Sequence, residues 1–413
     1  MKILLWHGYL LGGTGSNVYT RQLAREWSRA GHEVVVLSQE PHPERFDLAG
    51  ARTVRPEVHG LLPVFVLDRY EGYEVKLLQD CAPSELDDWV EANASAVRAE
   101  LPADVVFCNH VLLGGAVGQA SGAPYVVKAH GSELEYSMRG RPKLGRWGAE
   151  VLAGARAVFV GSEHIREVVH EVCGDVERMH EIPPGVDVEL WTPLPRDEAL
   201  RGLIEEARRD PPNPGNREER LPDAGNAERL HVFLEDEART VVYFGKLIPQ
   251  KGVQLLLEAM NGLDARLVVV GFGPQRADLE DLAPARTLFT GPLEHRHLTK
   301  LLALADACVV PSIFPEAFGM VAAEAAAAGC PPLVARHSGL AEVAEDLEAE
   351  YPPALSSLTS FTTEDAADLR DKLSALLALS ATQREEIGRA ARHVAVERWS
   401  WASVADRLLA LSV

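Results

Sequence analysis

Cysteine is scarce in this chain: there are five in 413 residues, Cys81, Cys108, Cys173, Cys308 and Cys330. The count is odd and no pair has CxxC spacing, so neither a disulfide framework nor a thiolate metal site is expected. Cys108 and Cys308 fall inside apolar runs, where a free thiol behaves as a small hydrophobe. A reducing, cytoplasmic setting is the expectation. Long apolar runs are missing as well. The opening MKILLWHGYLLGG is broken by His7 and followed by a glycine loop, so it reads as a first strand rather than a leader peptide. No stretch approaches the ~20 apolar residues of a membrane span. Basic charge is short: 41 Lys and Arg face 61 Asp and Glu, a net −20. Such a surface repels nucleic acid and anionic lipid over most of its area, which argues against a nucleic-acid partner and against membrane association. No pairing of the 14 histidines with acidic residues suggests a metal cage, and no convincing D-x-D motif is present, so no metal is expected. The dinucleotide fingerprint G-x-G-x-x-G is also unmet: Gly13 and Gly15 would require a glycine at position 18, where Val18 stands.

What is present is ordinary globular material, 46% hydrophobic and 25% charged, in a length that suits two domains. Short apolar runs alternate with longer helical patterns. The first half holds Ile3–Trp6, Val34–Leu37, Val105–Cys108, Tyr125–Val127 and Ala157–Val160. The second holds Val241–Phe244, Leu267–Val270, Leu288–Phe289, Ala307–Val310 and Leu333–Ala335. Near-continuous apolar runs mark strands buried on both faces, as in parallel sheets, and their alternation with helices argues for an α/β protein. The pattern occurs twice, so two doubly wound domains are expected. One spans residues 1–190 and the other 238–396. Between them, at 191–237, lies a linker or surface insertion whose core RDPPNPGNREERLPDAGNAERLHVFLEDE is rich in proline, glycine, asparagine and charge. The tail, 397–413, is an amphipathic helix carrying two tryptophans.

The strongest chemical signal is PSIFPEAFGMVAAEAAAAG, residues 311–329, directly after the run Ala307–Val310. A helix is expected to begin near Phe318–Gly319, with Glu316 just before it and Glu324 in its second turn. A helix start offers unpaired N–H groups and partial positive charge, which suit a diphosphate, and Gly319 permits a close backbone approach. Lys246 and Lys251 flank the loop after Val241–Phe244 and could neutralise a departing diphosphate. His130 follows Tyr125–Val127 in AHGSE, and His110 in CNHVLLGG is a further candidate for the same cleft. Arg336 and His337, in the loop after Leu333–Ala335, receive no role.

PEAFGMVAAEAAAAG resembles the E-x7-E motif of retaining GT-B glycosyltransferases, specifically glycosyltransferase family 4. The resemblance runs along nearly the whole chain. GGTGSNVYTRQLAREWSRAGHEV is similar to the family's opening glycine loop and first helix, KAHGSE to its catalytic-histidine loop, and VVYFGKLIPQKG to its phosphate-binding segment. IPPGVDVELWTP matches an Ile-Pro-Asn-Gly-Val-Asp segment with Pro184 in the asparagine place, and VGFGP matches the next strand and turn. The resemblance implies a GT-B fold, with two Rossmann-like domains facing a central cleft and the C-terminal helix crossing back to the first. It implies a nucleotide-sugar donor, a UDP-sugar ahead of GDP-mannose, and a sugar or small-molecule hydroxyl as acceptor. Transfer would retain configuration, give an α-linkage and need neither metal nor other cofactor. His130, Glu316 and Lys251 would be catalytic. Gly13, Gly15, Gly245, Lys246, Lys251, Phe318, Gly319, Met320, Val321 and Glu324 would hold the donor. The rival readings are a nucleotide-sugar epimerase of the same architecture, an NAD-dependent dehydrogenase, which Val18 argues against, and an inactive nucleotide-sugar-binding protein.

Overall fold

In the computed structural model, which describes residues 1–66, 70 and 72–413, each of the ten apolar runs forms a strand. Residues 67–69 and 71 lie outside the described residues. The chain divides into two compact units, residues 1–185 with 401–413, and residues 186–400.

Unit 1 is built on β1 (Lys2–Trp6), β2 (Glu33–Leu37), β3 (Arg52–Val54), β4 (Leu61–Val64), β5 (Glu74–Leu77), β6 (Val105–Asn109), β7 (Tyr125–Lys128), β8 (Val158–Val160) and β9 (Met179–Glu181). Seven of these form one parallel sheet in the order β3-β2-β1-β6-β7-β8-β9, and β4 pairs with β5 apart from it. Leu4 sits between Val35 and Val106 in register, all three fully or almost fully buried. Helices on both faces keep such central strands apolar on both sides. The helix Trp401–Ala410 belongs to this unit. Trp401 lies edge-on to Tyr19 at 5.3 Å, and the Trp27 indole N–H donates to the Ala405 carbonyl at 3.0 Å.

Unit 2 is built on β10 (Thr240–Phe244), β11 (Arg266–Val270), β12 (Thr287–Phe289), β13 (Ala307–Val310), β14 (Pro332–Ala335) and β15 (Ser360–Phe361). They form a parallel sheet ordered β12-β11-β10-β13-β14-β15, in which Val242 pairs with Val268 and Cys308. Residues 191–237, expected as a linker or insertion, are folded into this unit. Its helices Arg196–Ala207 and Asn226–Leu234 bury Leu203, Leu230 and Leu234 in the unit's core. Asp223 and Asp210 tie the irregular stretch to Arg276 (2.5 Å) and Arg296 (2.6 Å). Apolar positions too sparse among proline and charge hid these helices from a periodicity reading. Residues 397–400 also belong to unit 2, so the returning segment starts at 401. There Trp399 is buried, its indole N–H on Asp346 (2.9 Å) and its ring edge-on to Phe318 (5.7 Å).

Candidate active site

In an open parallel sheet, ligands bind beyond the carboxyl ends of the strands, where the strand order reverses. That point lies between β10 and β13 in unit 2, and between β1 and β6 in unit 1. Chemically equipped side chains gather at both.

In unit 2 the loops leaving β10 and β13 are laced together. The Ile313 and Phe314 N–H groups donate to the Gln250 carbonyl at 3.0 and 3.3 Å. Gly252, at φ 64°, lies against the Pro311 carbonyl so closely that a Cβ would stand 1.9 Å from its oxygen. Only glycine meets both demands. The lacing brings Lys251 onto Glu316 in an ion pair across 65 residues of sequence. Both side chains remain partly exposed, at 31% and 23%. Glu316 is held from every direction. Ser312 Oγ donates to its carboxylate at 2.6 Å, its own N–H donates to Ser338 Oγ at 3.0 Å, and its carbonyl accepts from the Gly339 N–H at 3.0 Å. His337 completes the cradle, with Nε2 on the Ser312 carbonyl (2.7 Å) and Nδ1 on Ser338 Oγ (3.1 Å). Ser338 itself adopts φ 45°, a left-handed conformation costly for a residue with a Cβ and tolerated where the surroundings enforce it.

Gly319, at φ 110°, precedes the helix Met320–Ala327. The carboxyl of Glu324, in the second turn, has no hydrogen-bond partner among the described residues, and burial pushes it up to about 8. Phe318 is buried against Trp399, and Met320 and Val321 pack on the unit's core, so these three can offer a ligand backbone rather than side chain. Gly245 and Lys246 follow β10. The Lys246 carbonyl accepts from the Tyr243 hydroxyl at 2.9 Å, while its ammonium is exposed and without a partner among the described residues.

In unit 1 the corresponding ends carry imidazoles. His7 follows β1, His110 follows β6 and His130 follows β7. The His7 and His110 rings stack at 5.9 Å, and His110 lies 4.8 Å from His130. His130 Nε2 bonds to Asn109 Oδ1 at 2.8 Å, so the neutral ring carries its proton on Nε2, and Tyr19 lies edge-on to it at 5.3 Å. Burial drives the pKa of His110 and His130 well below the ordinary value and that of His7 to about 4, so all three are neutral at pH 7. Glu133 accepts backbone N–H bonds from Val111, Leu112 and His130. Lys128, buried with its ammonium on the Ile182 carbonyl (2.9 Å), is lowered to about 7 by burial. Gly13 and Gly15 lie at the exposed start of the helix Gly15–Arg29 in this unit.

Of the residues singled out in the sequence, Lys251, Glu316, Gly319 and Glu324 thus sit on the two laced loops of unit 2 and the helix that follows, and His130 sits in unit 1. Arg336 turns to Glu348 and Ser360, whereas His337 supports the Glu316 loop. Ser312, Ser338, Asn109, Tyr19 and Glu133 were not singled out. Four of them share a signal, a polar residue within a few positions of a buried strand's carboxyl end; Tyr19, inside the helix Gly15–Arg29, does not. A cavity of about 720 Å³ lies elsewhere in unit 1, between residues 78–87 and 141–147, and holds none of the site residues named above. Among the described residues no three His, Cys, Asp or Glu side chains group as a metal site would need, and no helix is long and apolar enough to cross a membrane.

Comparison with known proteins agrees with this fold. Residues 14–185 match the model of the glycosyl transferase 4-like domain, and residues 227–394 match that of glycosyl transferases group 1. The D-inositol 3-phosphate glycosyltransferase of Xylanimonas cellulosilytica is 28% identical over 80% of this chain and 78% of its own length. Its namesake from Mycobacterium tuberculosis is 26% identical over 96% of this chain and 78% of its own. Among solved structures, sucrose-phosphate synthase of Thermosynechococcus elongatus superposes with a TM-score of 0.65 at 20% identity, covering 99% of this chain and 98% of that one. Anabaena Alr3699/HepE, solved with UDP and glucose, superposes with a TM-score of 0.65 at 17% identity, again over 99% and 98%.

Proposed function

The chain belongs to the GT4-type glycosyltransferases, with the GT-B fold of two Rossmann-like domains, and from that premise we propose that it moves a hexosyl group from a nucleotide sugar to a hydroxyl acceptor with retention of configuration. The observation that carries the reading is the cradled Lys251–Glu316 pair at the switch point of unit 2, followed directly by a glycine-led helix start.

Lys251, Lys246 and the N–H groups after Gly319 stabilise the departing diphosphate, whose charge grows as the glycosidic bond breaks. These positive groups take the part that a metal plays elsewhere, so transfer is metal-independent. Glu316, immobilised by Ser312, Ser338 and Gly339, accepts hydrogen bonds from the donor sugar's hydroxyls. Glu324 accepts from the ribose. His130 of unit 1 serves the sugar near its anomeric carbon. Among the described residues no side chain suggests itself as a covalent nucleophile, so the two-step, paired-carboxylate route of glycosidases fits poorly. A front-face displacement fits better: the diphosphate oxygen leaves and takes the acceptor's proton, and the α-linkage is kept.

A UDP-sugar is the favoured donor, in keeping with the UDP held by Alr3699/HepE. The relatives named for D-inositol 3-phosphate make a phosphorylated cyclic polyol the first acceptor to try. Five free thiols, four of them buried, suit a cytoplasmic setting.

The test is Glu316→Ala. Transfer, followed as UDP release from UDP-glucose or UDP-N-acetylglucosamine with inositol phosphate, should fall at least ~1000-fold, while calorimetric affinity for UDP stays within a few-fold. Transfer at the normal rate would refute the assignment of Glu316.

A further inference from the structure

We propose that Glu133 is a positioning residue: its buried carboxylate ties the turn after β6 to the loop after β7, and so fixes where the His130 ring stands. The inference rests on the reading of His130 given above.

Glu133 is completely buried yet makes no ion pair with lysine or arginine among the described residues. A core does not retain a carboxylate for packing alone, because an apolar side chain of similar volume costs far less to bury. What Glu133 does have is three backbone N–H donors from two separate segments. Val111 donates to its oxygens at 2.7 and 2.8 Å and Leu112 at 3.4 Å, both from the turn after β6. His130 donates at 3.3 Å from the loop after β7. That turn continues directly from Asn109, the last residue of β6, which accepts from His130 Nε2, and it carries His110, which lies against the His130 ring and holds a left-handed φ of 74°. One carboxylate therefore holds both the main chain of His130 and the main chain that presents its side-chain partners.

The local backbone points the same way. Glu133 opens a π-helical segment, Glu133–Met138, and such widened turns shift a side chain out of helical register, commonly at functional sites. The titratable groups that face Glu133 are His110, with Nδ1 at 3.8 Å, His130, Tyr9, and Cys173 at the end of the helix Glu163–Cys173; His7 and Lys128 stand behind the two histidines. Burial holds the histidines neutral and pushes the Cys173 thiol up to about 12, so none of these neighbours supplies Glu133 with a firm counter-charge.

The test uses the full chain and Glu133→Gln, which keeps the volume and one acceptor oxygen. UDP release from UDP-glucose should fall at least ~10-fold in kcat, with KM for UDP-glucose within about twofold, as expected when a reacting group is displaced but the donor still binds. In a His130→Ala background the same substitution should change kcat by less than about twofold, because its effect passes through that ring. Multiplying effects, or an unchanged kcat in folded Glu133→Gln, would overturn the proposal. If His130→Ala alone left turnover normal, the reading of His130 would fail instead. A measurement independent of turnover and of any variant's folding is the pH titration of backbone amides in wild-type protein labelled with 15N at Val, Leu and His. The Val111, Leu112 and His130 amides should move together with one midpoint, near pH 8, where burial sets the Glu133 carboxyl against its three N–H bonds. Three amides that do not share a midpoint would sink the idea.

Discussion

The two units use one topology and equip it in opposite ways. At the switch point of unit 2 the side chains are ionic and partly exposed: Lys251 pairs with Glu316, and Lys246 stands in solvent. At that of unit 1 they are neutral and mostly enclosed: three imidazoles are joined by asparagine, tyrosine and main-chain amides. Physics explains why each set keeps its character. A partly exposed ion pair is only partly desolvated, so either partner can still meet an incoming ligand. Buried imidazoles lose their protons, because the charged form is penalised by the surroundings. Charge therefore stands at the strand ends of unit 2, and uncharged imidazoles stand at those of unit 1. What separates the units is depth of burial rather than fold.

The sharpest break in this comparison comes from unit 1, whose arrangement depends on packing. Trp401 is 5% exposed, lies edge-on to Tyr19, and leaves no room for a side chain at Gly185. Trp401→Ala should cost about 3–5 kcal/mol of stability, the range for large-to-small core substitutions, read as a lower urea midpoint with unchanged m-value. Because Tyr19 also lies edge-on to His130, kcat should fall with it. A loss below ~1 kcal/mol would mean that the C-terminal helix does not hold this side of the site.

In unit 2 the corresponding cut should spare stability and affect ligand binding. Lys251→Ala removes an ammonium that is one-third exposed, so folding should change little. Its affinity for UDP should weaken by about 1.5–3 kcal/mol, roughly 10–100-fold, the worth of a hydrogen bond to a charged group. Calorimetry giving an unchanged Kd would remove Lys251 from the donor site.

These contrasts also show what a sequence can disclose. The ten strands read in advance are those whose burial on both faces leaves an unbroken apolar run, such as Val105–Cys108 or Val241–Phe244. The strands missed lie at edges or in the small ladder: β3, β4, β5, β9 and β15 are short, and two of them carry an exposed residue, Arg52 and Glu74. The loop positions of Lys251 and Glu316 were legible because a buried strand announces where its carboxyl end lies. Their pairing was not, since it depends on Gln250 and Gly252 meeting the chain 60 residues later. The cradle of His337 and Ser338 was illegible for a related reason: a bond to a backbone carbonyl leaves no pattern in side-chain types. Glu133 stood three residues from His130 in plain view, but only the fold shows that its carboxylate turns inward.

Glu324 tests whether the contrast in burial runs inside unit 2 as well. It lies on the same helix that Gly319 opens, but unlike Glu316 it has no cation beside it among the described residues, and burial pushes its carboxyl up to about 8 from an ordinary 4.5. The sign of the consequence follows. A carboxyl raised on folding favours the protonated form, so the stability tied to it is fully present below about pH 4.5 and is lost as pH rises through about 8. A ribose hydroxyl donates best to the ionised form, so bound nucleotide lowers the carboxyl's pKa. UDP affinity should therefore rise between pH 7 and 8.5, by up to about tenfold per pH unit below the midpoint, and level off above it. Glu324→Gln should flatten that rise, and inorganic diphosphate, which lacks the ribose, should show none of it. A UDP affinity that is flat or falling over this range in the wild type would move the ribose away from Glu324. It would leave Lys251 and Glu316 as the part of the helix–loop site that still has a ligand to account for.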